Sequence, residues 1–290
     1  GSVAHLPAGS SSANVDLLTI HSDAVPRYHD GRAYVINRLG QDNILVLDAT
    51  DLRSPVTQFS VGNGSNPQDI AFAGVGKAYV SRYASASLLI VDPRDGSELG
   101  EIDLSSFADA DGIPEMGQMA IVGDHLYITC QRLDRNGSFE PVAPSLIVVV
   151  DMTSDRLVDM DSGREGIQAW ELSATNPNQI VAAGAELYVG LTGSFGDTNG
   201  GIEILDTVTG FSRGLVVDES QLGGDLTWIE LVSNVKAYAV ISDADFLNHV
   251  KPVDLRRRTV VPSLVRDAVP LGELPPGAPP PMGGVAVQDR

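Results

Sequence analysis

Asp109, Asp111 and Glu115 fall at i, i+2 and i+6 around Gly112, in the stretch Asp109 to Glu115. Carboxylates so spaced about a glycine turn can supply oxygen ligands to Ca2+ or Mg2+, although the loop lacks the length and spacing of an EF-hand. The alternative is a polar turn in which each aspartate caps its own backbone. Asp243 and Asp245 make a second acid pair of the same kind. Asp23, Asp69, Gln118 and Gln179 recur at one position of a repeat, where their oxygens would face a common axis and hold a cation or ordered water. The candidate metal ligands are therefore Asp23, Asp69, Asp109, Asp111 and Glu115. Arg38, Arg82, Arg132 and Arg135 each follow a strand. A guanidinium fork reads carboxylate or phosphate, so they mark either an anionic-ligand site or pairs with Asp42, Asp134 and Asp111. Tyr83, Phe139, Phe195, Trp228 and Phe246 offer an aromatic platform for a sugar or peptide, or else scattered rim and core packing. With His249, the residues expected on a ligand-binding face are Arg38, Asp42, Arg82, Tyr83, Arg132, Trp228 and His249.

Signatures of catalysis are scarce. The five histidines show no H-x-x-x-H spacing, and no G-x-S-x-G, Walker or Rossmann motif is present. No catalytic residue is assigned. The single cysteine, Cys130, lies mid-strand in an apolar run and reads as buried and inert. A net charge of −19 argues against nucleic acid, which needs clustered Lys and Arg. No apolar run approaches the ~20 residues of a spanning helix. Gly1-Ser2 reads as the remnant of a protease cut, with any export signal already removed.

The elements that would position these residues repeat along the chain. Asp23–Tyr28, Arg32–Asn37, Asn43–Asp48 and Val56–Val61 read as four short strands with turns between them. Further sets of four begin near Asp69, Gln118, Gln179 and Trp228, and a sixth starts at Gly284. The wide step from Gln118 to Gln179 is attributed to an inserted loop at Asp134–Ser145, and that from Trp228 to Gly284 to the Pro-rich Pro270–Pro281. The second strand of each set carries a tyrosine (Tyr34, Tyr79, Tyr127, Tyr188, Tyr238), expected to pack between neighbouring sheets. The third ends in aspartate (Asp48, Asp92, Asp151, Asp206, Asp254), expected to open a turn by accepting backbone N–H groups. Five copies of each point to structure, since one site does not need five.

Four antiparallel strands recurring at this period predict an all-β chain, a β-propeller of four-stranded antiparallel blades. Five blades are full. The sixth is incomplete and closed by both termini, Val15–Ile20 sharing a sheet with Gly284–Gln288. Residues 1–12 are expected to be a flexible N-terminal tail and 13–290 a single propeller domain.

The strands AYVIN, AYVSR and LYVGL, with the hairpins NILVLDATD and LLIVDPRDG, resemble the YVTN-type propeller repeats of secreted and surface proteins of bacteria and archaea. That resemblance covers roughly residues 15–261 and implies an exported chain: periplasmic, outer-membrane-associated or extracellular, and bacterial. The expected function is a non-enzymatic binding or interaction propeller, taking a protein, glycan or other small-molecule ligand on the loop face. Two alternatives stay open. The segment DGIPEMGQMAIVGDHLYIT looks like part of a metal-dependent lactonase-type hydrolase, but Gln118 stands near where that family's catalytic acid would be sought. A structural protein could instead self-associate through its incomplete last blade.

Overall fold

The middle strands of each repeat are apolar on both faces, so each sheet must be covered on two sides. The computed structural model describes residues 1–262, in two compact units, the second beginning at Phe107. In the first unit, β1 (Ser2–His5) and β2 (Asn14–Thr19) form a two-stranded sheet. The first blade follows as β3 (Ala24–His29), β4 (Arg32–Asn37), β5 (Asn43–Asp48) and β6 (Asp51–Ser60). The second is β7 (Pro67–Gly74), β8 (Lys77–Arg82), β9 (Ser87–Val91) and β10 (Glu98–Asp103). Each is an antiparallel meander in chain order. Tyr34, Ile36, Ile44 and Val46 of one blade pack on Ile70, Ala78, Val80 and Leu89 of the next. On the other face of the first blade, Val35, Leu45 and Leu47 take Val3, Leu18 and Ile20.

The second unit holds three blades. The third blade comprises β11 (Met116–Val122), β12 (His125–Cys130) and β13 (Leu146–Asp151), and its outer edge is split into β14 (Arg156–Leu157) and β15 (Trp170–Glu171), both paired with β13. The fourth is β16 (Pro177–Ala183), β17 (Glu186–Leu191), β18 (Gly201–Asp206) and β19 (Phe211–Asp218), followed by the one-turn helix α1 (Glu219–Leu222). The fifth is β20 (Asp225–Ser233), β21 (Lys236–Ser242), β22 (Asn248–Asp254) and β23 (Thr259–Val260). Tyr127, Ile147 and Val149 of the third blade cluster with Ile180, Leu187 and Val189 of the fourth. Tyr188, Ile202 and Ile204 cluster with Ile229, Ala237 and Ala239 of the fifth. Among the described residues no helix is long and apolar enough to cross a membrane.

The five expected blades are present. The expected turn chemistry is present as well: Asp48, Asp92, Asp151, Asp206 and Asp254 each accept a backbone N–H two or three residues on, from Thr50, Arg94, Thr153, Val208 and Arg257 at 2.8–2.9 Å. Four of the five tyrosines are buried, but Tyr238 is 37% exposed with Lys236 over its ring at 5.5 Å. The long third repeat has a second cause beyond the loop at 134–145, the excursion at 158–169 that splits the outer strand. Residues 2–5, inside the stretch expected as a tail, form β1, and β2 pairs with it. The expected partner Gly284–Gln288 and the Pro-rich Pro270–Pro281 lie outside the described residues.

Gly96, in the β9–β10 hairpin, has φ +80°, and a Cβ there would stand 2.1 Å from the Phe59 ring. Gly184, in the β16–β17 turn, has φ +63° and open space. G184A is expected to lower the unfolding free energy by about 1 kcal/mol, from backbone strain alone. G96A is expected to lower it by roughly 2–4 kcal/mol, because the Phe59 side chain must also move. Urea unfolding of both variants checks this, and equal losses would refute the packing argument.

Candidate functional site

Within a blade, the connection from second to third strand lies at the same end as the approach to the first strand. At that end the backbone leaves the ladder, and its N–H groups need acceptors. Just before the first strand of three blades stands a residue in left-handed backbone: Asn66 (φ 49°), Glu115 (φ 48°) and Asn176 (φ 57°). Their carbonyls accept from the residue following the second strand, Tyr83, Gln131 and Thr192 respectively, at 3.0–3.1 Å. Asparagine tolerates this conformation. Glutamate rarely adopts it, so Glu115 is strained where its two counterparts are not.

Glu115 is fully buried. Its Oε2 accepts the Leu133 N–H at 3.1 Å, and Oε1 lies 3.1 Å from Nε of Arg135. The same Arg135 Nε donates to Asp111 Oδ2 at 2.9 Å. Two of the acids singled out from the sequence, Asp111 and Glu115, therefore meet at one guanidinium, with Asp109 near enough for its charge to act on Glu115. Asp109 and Asp111 also accept N–H groups two residues on, from Asp111 at 3.0 Å and Ile113 at 2.8 Å, as capping turns do. Burial pushes the Glu115 carboxyl up to about 7; the Leu133 N–H opposes this, the charges of Asp111 and Asp109 add to it, and Arg135 offsets only part. Among the described residues no group of three or more His, Cys, Asp or Glu side chains is disposed to hold a metal ion.

In the first unit Asp23 pairs with Arg38, whose other nitrogen donates to Gln68 Oε1 at 2.7 Å. Asp69, 1% exposed, pairs with Arg27 at 2.7 Å. Asp42 accepts the backbone N–H groups of Gly64 and Asn66 at 2.7 and 2.9 Å. Arg82 is buried, bonded to Glu101 and to the carbonyls of Ser87 and Val61. These groups brace loops. Tyr83 and Trp228 are half-buried. Arg132 Nη1 donates to the Pro144 carbonyl at 2.9 Å. In the second unit Gln179, at the repeat position of Asp69, accepts the Ile229 N–H at 2.6 Å and so ties the fourth blade to the fifth. His249 Nε2 sits 2.6 Å from Asp243 Oδ2. The N–H groups of Leu247 and Asp245, with that imidazole, hold the Asp243 carboxyl below the usual range.

The same loops expose large apolar side chains. Leu39 in the first unit, and Phe139, Phe195 and Phe246 in the second, each stand between the second and third strands of a blade, more than half exposed. Leu39, Phe139 and Phe246 have positive φ, 46°, 59° and 60°. Phe195 and Phe246 stack across adjacent loops with ring centroids 6.1 Å apart and planes 12° apart. Beneath Phe195, both Asp225 oxygens face the Gly196 N–H at 2.9–3.0 Å. Beneath Phe246, Asp243 accepts the Leu247 N–H at 2.9 Å. Three Phe of this set were visible in the sequence as loop aromatics; the buried Asp225 that holds the Phe195 loop was not, because it lies on a different strand, 29 residues on from Gly196.

A separate cavity of about 350 Å3 in the first unit is lined by Thr19, Ile20, His21, Asn37, Gln41, Leu45 and Gln58. None of the expected site residues lines it. Its carboxamides bond in series, Gln58 and Asn37 both donating to Asn43 Oδ1 at 2.8 and 2.9 Å, with the His21 N–H on Asn37. That wiring joins β4, β5 and β6.

No family model matches the chain, and no curated protein matches it. Solved structures do resemble it. A Kuenenia stuttgartiensis hydrazine synthase chain is 14% identical with a TM-score of 0.53, over 81% of this chain and 61% of that one. The WD40 β-propeller domain of Doa1 is 13% identical, TM-score 0.50, over 81% and 64%. A chain of the mitotic checkpoint complex is 12% identical, TM-score 0.57, over 88% and 72%. The chain thus spans less than two thirds of the first two. At these identities the likeness establishes the β-propeller fold alone.

Glu115 gives a pH signature. Its folded pKa of about 7 exceeds the ordinary 4.5, so between those values the folded chain keeps a proton that the unfolded chain has lost. Stability from this group therefore falls as pH rises through that window. Relative to E115Q, the native chain is expected to lose roughly 1–3 kcal/mol between about pH 5 and about pH 8. Calorimetry of the two proteins measures it; parallel pH curves would show that Glu115 is ionised throughout.

Proposed function

We propose that this chain is a non-enzymatic binding propeller of the YVTN type, exported to the periplasm or cell surface of a bacterium, with residues 13–290 as one propeller domain. It engages its ligand through the loops joining second to third strands. The observation that carries this reading is the set of exposed Phe139, Phe195 and Phe246 on loops whose backbones are pinned from below. A solvent-exposed phenylalanine in left-handed backbone has no folding benefit that a glycine or asparagine would not better supply. Pinned loops lose little entropy on binding, which favours recognition by a rigid surface. The polar residues first considered for chemistry, among them Arg38, Asp42, Arg82 and Glu115, are committed to partners within the fold. The strands AYVSR and LYVGL and the Asp-opened hairpins support the repeat type.

Selection of phage-displayed random peptides, with a glycan array in parallel, tests the reading. Ligands recovered on the native protein are expected to lose at least about tenfold in affinity for F139A/F195A/F246A, whose melting temperature stays within about 2 °C because the rings are exposed. Ligands indifferent to the triple variant would overturn it.

A further inference from the structure

We infer that the Phe195–Phe246 pair is a docking surface for a Lys- or Arg-rich peptide segment of a partner protein, an inference that rests on the binding function proposed above. Two phenylalanines 53% and 72% exposed, stacked at 6.1 Å, present a π-face to solvent. Each ring has an exposed acid within two residues on its own loop, Asp197 after Phe195 and Asp245 before Phe246. Neither loop, 192–200 or 243–249, contains a Lys or Arg, so nothing local neutralises these carboxylates. Exposed rings with carboxylates on the same loops attract a cation twice, through the ring quadrupole and through charge. A guanidinium suits it best, since it stacks flat and forks toward carboxylate.

The same fold already uses this contact: Lys77 lies 5.3 Å from the Tyr79 ring centre and Lys236 5.5 Å from that of Tyr238. A sugar is less well served. The Asn199 carboxamide oxygen is taken by the Ser194 N–H at 2.9 Å, and Asp225 and Asp243 are taken by the backbone. A polyanion is repelled by a chain of net charge −19. The aromatic pair supplies the local contact, and the charge of the whole chain steers a basic segment toward it.

The test uses a fluorescein-labelled (Gly-Arg)4 peptide and its citrulline twin, which keeps the shape and removes the charge. Binding is read by anisotropy at about 150 mM salt, where long-range attraction is screened. The arginine peptide is expected to bind at least about fivefold tighter than the citrulline peptide, and F195A/F246A to lose about fivefold or more at unchanged melting temperature. D197N/D245N is expected to weaken binding and flatten its dependence on salt. Equal binding by F195A/F246A would overturn the inference, since attraction to an acidic chain would then be diffuse. So would equal binding of the two peptides, or none up to about 1 mM. If selected phage peptides depend on Phe195 and Phe246 but carry no excess of Lys or Arg, the cationic partner is wrong and the binding function stands; if they ignore both rings the inference falls, and if they ignore Phe139 as well the binding function falls with it.

Discussion

A sheet that is apolar on both faces cannot exist alone in water. Tyr79, Val80 and Leu88 in the second blade, and Leu187, Tyr188 and Val189 in the fourth, are all essentially unexposed, although successive residues of a strand point to opposite sides. Each such face requires a neighbouring sheet, and the repeat supplies one. The clusters joining the first blade to the second, the third to the fourth and the fourth to the fifth are built from the same strand positions each time. The burial of these rows is the main favourable contribution, and the repeat keeps it in register.

Stacking sheets in this way leaves their ends as the difficulty. Chain reversals expose N–H groups that have left the ladder, some of them buried against the next loop. The chain answers with carboxylates. Asp42, Glu203, Glu219 and Asp225 are buried and accept backbone N–H groups from loops distant in sequence. Such bonds to a charged acceptor are strong, and leaving either partner alone would be costly. Burial pushes Glu219 up to about 7 in spite of its two N–H donors, from Leu226 and Gly200. Many of the acids behind the net charge of −19 thus have internal duties. The arginines behave alike: Arg27, Arg38, Arg82 and Arg135 are all engaged by acids of the same unit.

With many polar side chains used for bracing, what stands out on these loops is a set of exposed apolar side chains. The rings of Phe139 and Phe246 and the side chain of Leu39 are held outward in backbone conformations that disfavour them. Strain of this kind persists only where the surroundings over-determine it. Here the over-determination comes from turn bonds: the N–H groups of Phe139 and Phe246 donate to the carbonyls of Asp134 and Asp243, and that of Leu39 to the Asn66 carboxamide. The architecture therefore gives the buried acids and arginines the task of holding the loops, and leaves the aromatics to meet the solvent beside the exposed acids Asp197 and Asp245 of the same loops.

The sequence by itself determined the strand pattern, the repeat, the blade count and the turn-opening aspartates, because these depend on contacts only a few residues apart. Period-2 alternation states which residues share a face, and an aspartate's reach to the N–H two residues on needs no distant partner. It also determined that Phe139, Phe195 and Phe246 lie in loops. Only the tertiary structure decided that Asp111 and Glu115 converge on Arg135, that Tyr238 stays partly exposed, that the third blade's edge is split, and that Phe195 stacks on Phe246. Those outcomes depend on which loop lies beside which when blades come together. Such neighbours are separated by tens of residues, and no local spacing records the pairing.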